Sequence, residues 1–222
     1  MKKNLRILIK AWNLILDLFI PYYCANCKKL GKPLCSDCDQ LIEYNLEEYP
    51  EKISNINKIF AATHYTSVME NLITEYKFRF VKTISRNLAQ IIFTSMLKNK
   101  TSEFLERDII LVPVPLSNKR KRWRGFNQAD EVCKEISKVT NQKVLNLILK
   151  NKNTKPQSEL NKEERNSNLE NSFSLNYQTK VSFSSRICIV DDVITTGSTI
   201  KNIADILNKA GYKNLYVLVL SF

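Results

Sequence analysis

ICIVDDVITTGSTI, residues 187–200, opens with four consecutive apolar or near-apolar residues, of which three are β-branched. A run of this kind is typical of a strand buried on both faces of a sheet. Two carboxylates, Asp191 and Asp192, follow the run, and from Ile200 onward apolar residues recur at helical spacing. The stretch therefore predicts a buried parallel strand, carboxylates at its C-terminal end, and a helix that begins in the Thr/Gly/Ser run.

This strand end and helix start suit a phosphorylated ligand. In an open parallel sheet, ligands bind outside the carboxyl ends of the strands, and the N–H groups of a helix N-terminus hold phosphate. Asp191 and Asp192 would repel a phosphate, so they suit sugar hydroxyls or a divalent metal. A ribose with a 5′-phosphate satisfies both halves, whereas the alternative is an acidic turn and a capped helix without a ligand. The predicted phosphate-binding residues are Thr195, Thr196, Gly197, Ser198 and Thr199.

Length and charge bound the class of protein. The chain has 222 residues, enough for one sizeable domain and a small appendage. Its formal net charge of +12 favours an anionic partner: a polyphosphate substrate, nucleic acid or an acidic membrane surface. A merely basic surface is the alternative, so the charge alone carries no nucleic-acid assignment.

Four of the six cysteines form two closely spaced pairs. Two CxxC pairs with a short Gly-Lys-Pro turn between them predict a closed, tetrahedral structural zinc site in a miniature zinc ribbon. A disulfide pair or an iron–sulfur cluster are the alternatives. Without a disulfide scaffold elsewhere, the cysteines indicate a reducing cytoplasm. The predicted metal ligands are Cys24, Cys27, Cys35 and Cys38.

Three units are predicted along the chain. Residues 1–20 carry apolar residues on one helical face, but Lys10 and Asp17 interrupt them, so we expect a packing helix and no transmembrane span, with membrane association as the alternative. Residues 21–50 form the zinc segment and a linker. Residues 59–222 form the main domain, in which residues 59–105 are expected to supply a cap over the site. The interleaved basic and aromatic residues 76–80 would be part of this cap, and the alternative is a helix end.

A second buried strand, residues 108–116, ends in Pro113 and Pro115 and leads into the densest cationic run of the chain. A strand end, a cationic loop and a following helix over residues 129–139 form another anion site, suited to pyrophosphate. The alternative is a solvated basic loop. The predicted anion-loop residues are Lys119, Arg120, Arg122 and Arg124.

Residues 150–172 are almost wholly polar, which is typical of a mobile functional loop or a disordered segment. Its expected ligand contacts are Lys155, Gln157, Arg165 and Asn168.

DDVITTGST resembles the 5-phosphoribosyl-1-pyrophosphate (PRPP) motif of type I phosphoribosyltransferases. The order of motifs along the whole chain, CxxC, CxxC, YKF, VPVPL, RGFNQ, TKPQ and DDVITTGST, resembles the ComF family of competence-associated proteins. This resemblance implies an α/β fold with a parallel sheet and flanking helices of the type I phosphoribosyltransferase kind, behind an N-terminal four-cysteine zinc ribbon. It also implies a role in natural transformation, in the handling of incoming single-stranded DNA beside a helicase-like partner.

Two functions follow as hypotheses. An enzyme would bind PRPP with Mg²⁺, hold the ribose hydroxyls on Asp191 and Asp192, and transfer phosphoribosyl to an acceptor that the sequence does not identify. A binding module would sense PRPP or a related phosphorylated molecule, or hold single-stranded DNA with stacking on Trp123 or Phe126. Both would act in the cytoplasm, with attachment to a DNA-uptake complex at the membrane as an alternative position.

Overall fold

The structure is a computed structural model that describes residues 22–45, 49–78, 83–101, 104, 106, 108–151 and 172–222. Within these ranges, six helices and seven strands are found. The helices are α1 (Ser36–Asp39), α2 (Ser67–Phe78), α3 (Ile84–Lys98), α4 (Asn118–Arg124), α5 (Gln128–Thr140) and α6 (Ser198–Lys209). The strands are β1 (Lys58–Thr63), β2 (Ile109–Pro113), β3 (Lys143–Val144), β4 (Ile148–Lys150), β5 (Phe173–Leu175), β6 (Arg186–Val193) and β7 (Leu215–Ser221).

A five-stranded sheet in the order β1-β7-β6-β2-β3 forms the centre of the fold, and every neighbouring pair in it is parallel. The central strands are apolar because they are covered on both faces: β2 is buried over its whole length, and so is the apolar run of β6 that precedes Asp191. The predicted α/β fold with a parallel sheet and flanking helices is confirmed.

Helices lie on both faces of the sheet. Along β2, Ile109 and Leu111 join one hydrophobic cluster, and Ile110 and Val112 join another, as the alternation of side chains in a strand requires. The first cluster includes α2, α3 and α5. The second includes α6 and the antiparallel hairpin of β4 and β5. The two cysteines outside the CxxC pairs, Cys133 and Cys188, are buried in the first cluster.

The chain leaves β2 and β6 in opposite directions. After β2 it crosses through α4 and α5 to β3 at one edge of the sheet, whereas after β6 it crosses through α6 to β7 on the other side. The neighbouring strands β2 and β6 therefore form a topological switch point, and a crevice opens outside their carboxyl ends. The two predicted anion-binding segments, residues 119–124 and 195–199, follow the carboxyl ends of β2 and β6.

The cationic run is a short helix, and the expectation of a loop was wrong. Ser117 caps α4 because its side-chain oxygen accepts a hydrogen bond from the backbone N–H of Arg120 at 3.3 Å, and Gly125 ends the helix with φ 76°. The helix expected over residues 129–139 is confirmed as α5.

Of the expected cap, β1 is an edge strand of the main sheet and α3 packs beside it, while the C-terminal end of α2 reaches the carboxyl edge of β6. The helix expected over residues 1–20 lies outside the residues that the structure describes. The division of the chain into three units stays a prediction.

Candidate functional site at the sheet switch point

Asp191 and Asp192 lie at the C-terminal end of β6, which ends at Val193. The two carboxylates are partly exposed at the carboxyl edge of the sheet. A carboxylate oxygen of Asp191 accepts a hydrogen bond from the backbone N–H of Asp192 at 2.9 Å, which fixes the first side chain against the strand. The structure thus places both residues where the sequence predicted them, at the end of a buried parallel strand.

The loop between β6 and α6 turns tightly at Gly197, which has φ 67° and caps the N-terminus of α6. A Cβ atom at this position would be strained by the left-handed backbone, and it would lie 2.8 Å from Cδ1 of Ile53, so the end of that side chain would have to move. The N–H groups in the first turn of α6 have no partner within the helix. All five predicted phosphate-binding residues line one cavity of about 40 Å³ together with Asp191.

Lys77, near the C-terminal end of α2, forms an ion pair with Asp192, with Nζ 2.8 Å from Oδ2. Both side chains are largely buried, with 24% and 18% of their surface exposed. The segment that contains Lys77 was expected to be part of a cap over the site, but Lys77 was not among the predicted ligand-binding residues. The YKF motif contains Lys77 but does not predict its ion pair, because Asp192 lies more than a hundred positions away in the chain.

Arg124, the last residue of α4, is buried near Asp192 and only 9% of its surface is exposed. Its guanidinium lies over the ring of Phe78 at 5.5 Å, and its Nε has no hydrogen-bond acceptor among the described residues. Burial lowers the pKa of Arg124, and the nearby positive charge of Arg120 lowers it further. Because burying a charged group without a partner is unfavourable, a bound anion would stabilise this guanidinium.

Lys150 at the end of β4 is a further cation that the sequence did not single out. Its Nζ lies 4.2 Å from the centre of the Phe173 ring, and its charge acts on the carboxylate of Asp191. Burial lowers the pKa of Lys150, the positive charge of Arg120 lowers it further, and Asp191 opposes both. Three cations from α2, α4 and β4 thus act on the two carboxylates: Lys77, Arg124 and Lys150. Arg120 acts on two of these cations, Arg124 and Lys150.

Burial raises the pKa of Asp191 to about 7, and the negative charge of Asp192 adds to the rise. The backbone N–H of Asp192 and the charges of Lys77 and Lys150 act in the opposite direction. A ligand that needs the ionised form of Asp191 therefore competes with a proton for this carboxylate near neutral pH.

A larger cavity of about 440 Å³ adjoins the carboxylates on the β7 side. Aromatic rings of Tyr49, Tyr65 and Phe222 line it, and Lys77 and Glu51 supply its charges. Residues 193–195 line both this cavity and the small cavity at the Gly197 loop, so the two cavities are neighbours at the sheet edge.

Of the four predicted anion-loop residues, Arg120 and Arg124 act electrostatically on the site, and Lys119 and Arg122 are exposed on α4. The predicted contacts in the long polar segment lie outside the described residues, so their assignment stays a prediction: Lys155, Gln157, Arg165 and Asn168.

The four predicted metal ligands lie together in the segment before β1. Their sulfur atoms all fall within 4.8 Å of one another, and those of Cys27 and Cys35 are 3.6 Å apart. Zinc bonded to four thiolates at about 2.3 Å would hold the sulfurs about 3.8 Å apart, so the cluster has the dimensions of a tetrahedral metal site. Cys24, Cys35 and Cys38 are buried. The residues can hold a metal ion such as zinc.

No helix among the described residues is long and apolar enough to cross a membrane.

Fold and site together define a parallel α/β protein. It has a pair of carboxylates beside several cations at its switch point, and a four-cysteine cluster before the sheet. No protein-family model matches the chain. Individual curated proteins do match it. Competence protein F of Haemophilus influenzae is 32% identical over 204 residues, which cover 87% of each chain. The chain therefore belongs to the ComF family.

Other relatives have related names. DNA utilization protein YhgH of Escherichia coli is 27% identical over 192 residues, covering 85% of this chain and 83% of the relative. Competence protein ComFC of Streptococcus pneumoniae is 26% identical over 203 residues, covering 82% of this chain and 84% of the relative. The similarity in each case spans most of both chains.

Proposed function

We propose that the chain binds Mg²⁺-PRPP at the switch point and acts as a phosphoribosyltransferase-like protein in DNA uptake. The observation that supports this most strongly is the joint lining of one cavity by Asp191 and by the whole 195–199 loop. Carboxylates for a sugar diol and a helix start for a phosphate lie side by side there, and a ligand that carries both groups is a 5-phosphoribose.

The neighbouring cations support a pyrophosphate on the same ligand. With the ribose hydroxyls on Asp191 and Asp192, the 5′-phosphate would be held by the first turn of α6. The pyrophosphate would face Arg120 and Arg124, the latter a buried cation whose Nε has no acceptor among the described residues. Carboxylates are oxygen donors of the kind that Mg²⁺ prefers, and charge on the leaving group would be neutralised in part by Mg²⁺ carried in with PRPP. Positioning and charge stabilisation would supply most of the catalysis.

An acceptor would enter by the 440 Å³ cavity. It opens beside the carboxylates, on the side away from α4, and its walls are the rings of Tyr49, Tyr65 and Phe222. Lys77 is the cation at its boundary with Asp192. Which acceptor it takes, and whether transfer occurs, are the questions that a turnover assay addresses.

The names of the relatives support the proposed cellular role. One is called a DNA utilization protein and two are called competence proteins. By family we infer that this chain acts in competence, in the cytoplasm, on incoming single-stranded DNA, with a helicase-like partner at the DNA-uptake complex. The four-cysteine cluster would hold zinc in a structural role, because four thiolates leave no open position for a substrate.

Calorimetry with PRPP and Mg²⁺ tests the ligand assignment. The wild-type protein should bind with micromolar affinity, and Asp192→Asn should lose most of that binding because it removes a diol acceptor and the partner of Lys77. Lys209→Met, at the far end of α6, is the matched control and should bind normally. If Asp192→Asn binds PRPP as tightly as wild type, the assignment of the site is wrong.

A second function, direct binding of single-stranded DNA, is favoured by one surface. The rings of Trp123 and Phe78 lie 5.7 Å apart, and each is about half exposed. The cations Lys119, Lys121 and Arg122 are exposed on the same helix as Trp123. Exposed aromatic rings among cations bind single strands by stacking and phosphate contact.

The two functions respond differently to salt and to Trp123→Leu. Binding of a single-stranded oligonucleotide should weaken steeply as salt rises and should fall about tenfold in Trp123→Leu, since one stacked base contributes on the order of 1–3 kcal/mol. Asp192→Asn should leave it unchanged. Oligonucleotide binding with no loss in Trp123→Leu would remove this surface from consideration.

A further inference from the structure

The four-cysteine unit and the ligand site contact the same helix. On one side of α2, Asn71 and Glu75 contact the first cysteine pair and its neighbours. On the other side, Lys77 pairs with Asp192. At about 100° per residue, Asn71 and Glu75 lie about 40° apart on the helix, and Lys77 lies about 200° from Glu75. The helix therefore separates the two sites and touches both.

A hydrogen-bond chain leads from a metal ligand to α2. Asn26 donates from Nδ2 to the sulfur of Cys38 at 3.4 Å, and its Oδ1 accepts from Nδ2 of Asn71 at 3.0 Å. Groups that bond a metal ligand in this way orient it, and they respond when the ligand moves. Asn71 is therefore linked to the geometry of the cysteine cluster through one side chain.

An ion pair fixes the same unit to the next turn of α2. Nζ of Lys28 lies 2.9 Å from Oε1 of Glu75, whose side chain is 15% exposed, and it also donates to the backbone carbonyl of Ala25 at 2.8 Å. Lys28 lies one position after Cys27 and has φ 62°, so the turn of the first cysteine pair holds it in place. A change in that turn moves the partner of Glu75.

The unit and α2 also share one hydrophobic cluster. Cys24, Cys35 and Cys38 belong to the cluster that includes Leu72 and Tyr76 of α2. Closely packed interiors transmit displacements instead of absorbing them. The cysteine unit thus has apolar, hydrogen-bonded and ionic contact with the helix that carries Lys77.

We propose that the metal-bound cysteine unit positions Lys77 at the ligand site through α2, with Asn71 and Glu75 as the positioning residues. This inference deepens the proposed function and rests on it for the identity of the ligand. Binding at one site then favours binding at the other. By thermodynamic reciprocity, PRPP raises the affinity for the metal by the same factor by which the metal raises the affinity for PRPP.

Variants at the contact test the proposal without removing a metal ligand. Asn71→Ala and Glu75→Gln should each keep one bound zinc per chain and an unchanged melting temperature, yet bind Mg²⁺-PRPP about fivefold more weakly, the low end of the usual range for coupled sites. Asp37→Asn is the matched control, because it removes an ion pair of the same unit, with Lys29, that does not touch α2. It should bind PRPP normally.

Reciprocity supplies a readout other than activity. Competition with a chelator should show zinc held about fivefold more tightly in the presence of saturating Mg²⁺-PRPP, and this gain should vanish in Glu75→Gln. A double-mutant cycle of Lys28→Met and Glu75→Gln should be non-additive, because either change alone breaks the pair.

A ligand-independent measurement separates this proposal from the assignment of PRPP. Trp123 packs edge-on against Phe78, the last residue of α2, with ring centres 5.7 Å apart. In a Trp12→Phe background, its fluorescence should change on zinc removal and in Glu75→Gln, but not in Asp37→Asn. If wild type binds no PRPP while these emission changes occur, the ligand assignment fails and the coupling stands. Unchanged emission, or equal PRPP affinity in the contact variants and wild type, overturns the coupling.

Discussion

The cysteine cluster and the switch-point site both gather polar groups around a ligand, but they are built in opposite ways. The four cysteines lie within 15 consecutive residues, and two tight turns bring them together. The ligand site draws on α2, α4, β4 and β6, and the packing of the sheet and its helices brings these elements together. The geometry of the first therefore depends on one short segment, and the geometry of the second depends on the whole fold.

Loss of one metal ligand should have the largest effect. Cys38→Ser should lose the metal and with it the structure of residues 22–45, since structural zinc contributes on the order of 10 kcal/mol to folding in small units. The parallel sheet should persist, because its two clusters bury strands on both faces.

Metal content, together with limited proteolysis, measures this outcome. Ser36→Ala is the control, because Ser36 is an exposed residue of the same helix, α1, and is not a predicted metal ligand. This variant should keep one metal per chain. A Cys38→Ser protein that retains one tightly bound metal and resists proteolysis would mean that the unit does not depend on its metal.

Gly197→Ala should come next, because it affects the ligand site through local geometry alone. The new Cβ would lie 2.8 Å from Ile53, and the left-handed backbone would cost about 1–2 kcal/mol. We expect PRPP binding to fall by about a hundredfold, or about 2.7 kcal/mol. Adding Ile53→Ala should restore part of the binding by removing the contact, and calorimetry on the single and double variants would show it. Equal losses in the two would leave the backbone strain as the sole cause.

Lys77→Met should weaken PRPP binding about tenfold, because it removes the ion-pair partner of Asp192 and one of the positive charges beside the carboxylates. The effect should be smaller than that of Gly197→Ala, since Arg120, Arg124 and Lys150 remain. Lys209→Met is again the charge control. Tighter binding in Lys77→Met would show that the ion pair competes with the ligand.

The pH dependence of PRPP binding should show the smallest effect. Asp191 must be ionised to accept hydrogen bonds from ribose hydroxyls, and its pKa is raised to about 7. Between about pH 6.5 and about pH 7.5 the affinity should therefore rise about threefold, and it should level off at higher pH. The same series on Asp191→Asn separates this protonation from that of PRPP itself, and an identical slope in the variant would exclude Asp191 as its source.

The same contrast explains what the sequence could predict. The four cysteines, the two carboxylates and residues 195–199 are each contiguous or regularly spaced, so residue type and spacing were sufficient to predict that each group lies together. The parallel sheet was predictable because continuous apolar runs such as that before Asp191 are typical of doubly covered strands.

Lys77 and Lys150 were not predictable as site residues, because they reach Asp192 and Asp191 only after α2 and β4 have packed. The short helix α4 was missed for a different reason. Five of its seven residues are charged, and the cap at Ser117 and the turn at Gly125, which define the helix, are weaker sequence signals than the run of charge.

A crystal structure of the protein with Mg²⁺ and PRPP would test the central claim most directly. We predict the 5′-phosphate in the loop of residues 195–199 and the ribose hydroxyls within hydrogen-bond distance of Asp191 and Asp192, with the pyrophosphate toward Arg124. PRPP bound elsewhere, or a switch point without PRPP at saturating concentration, would contradict the account.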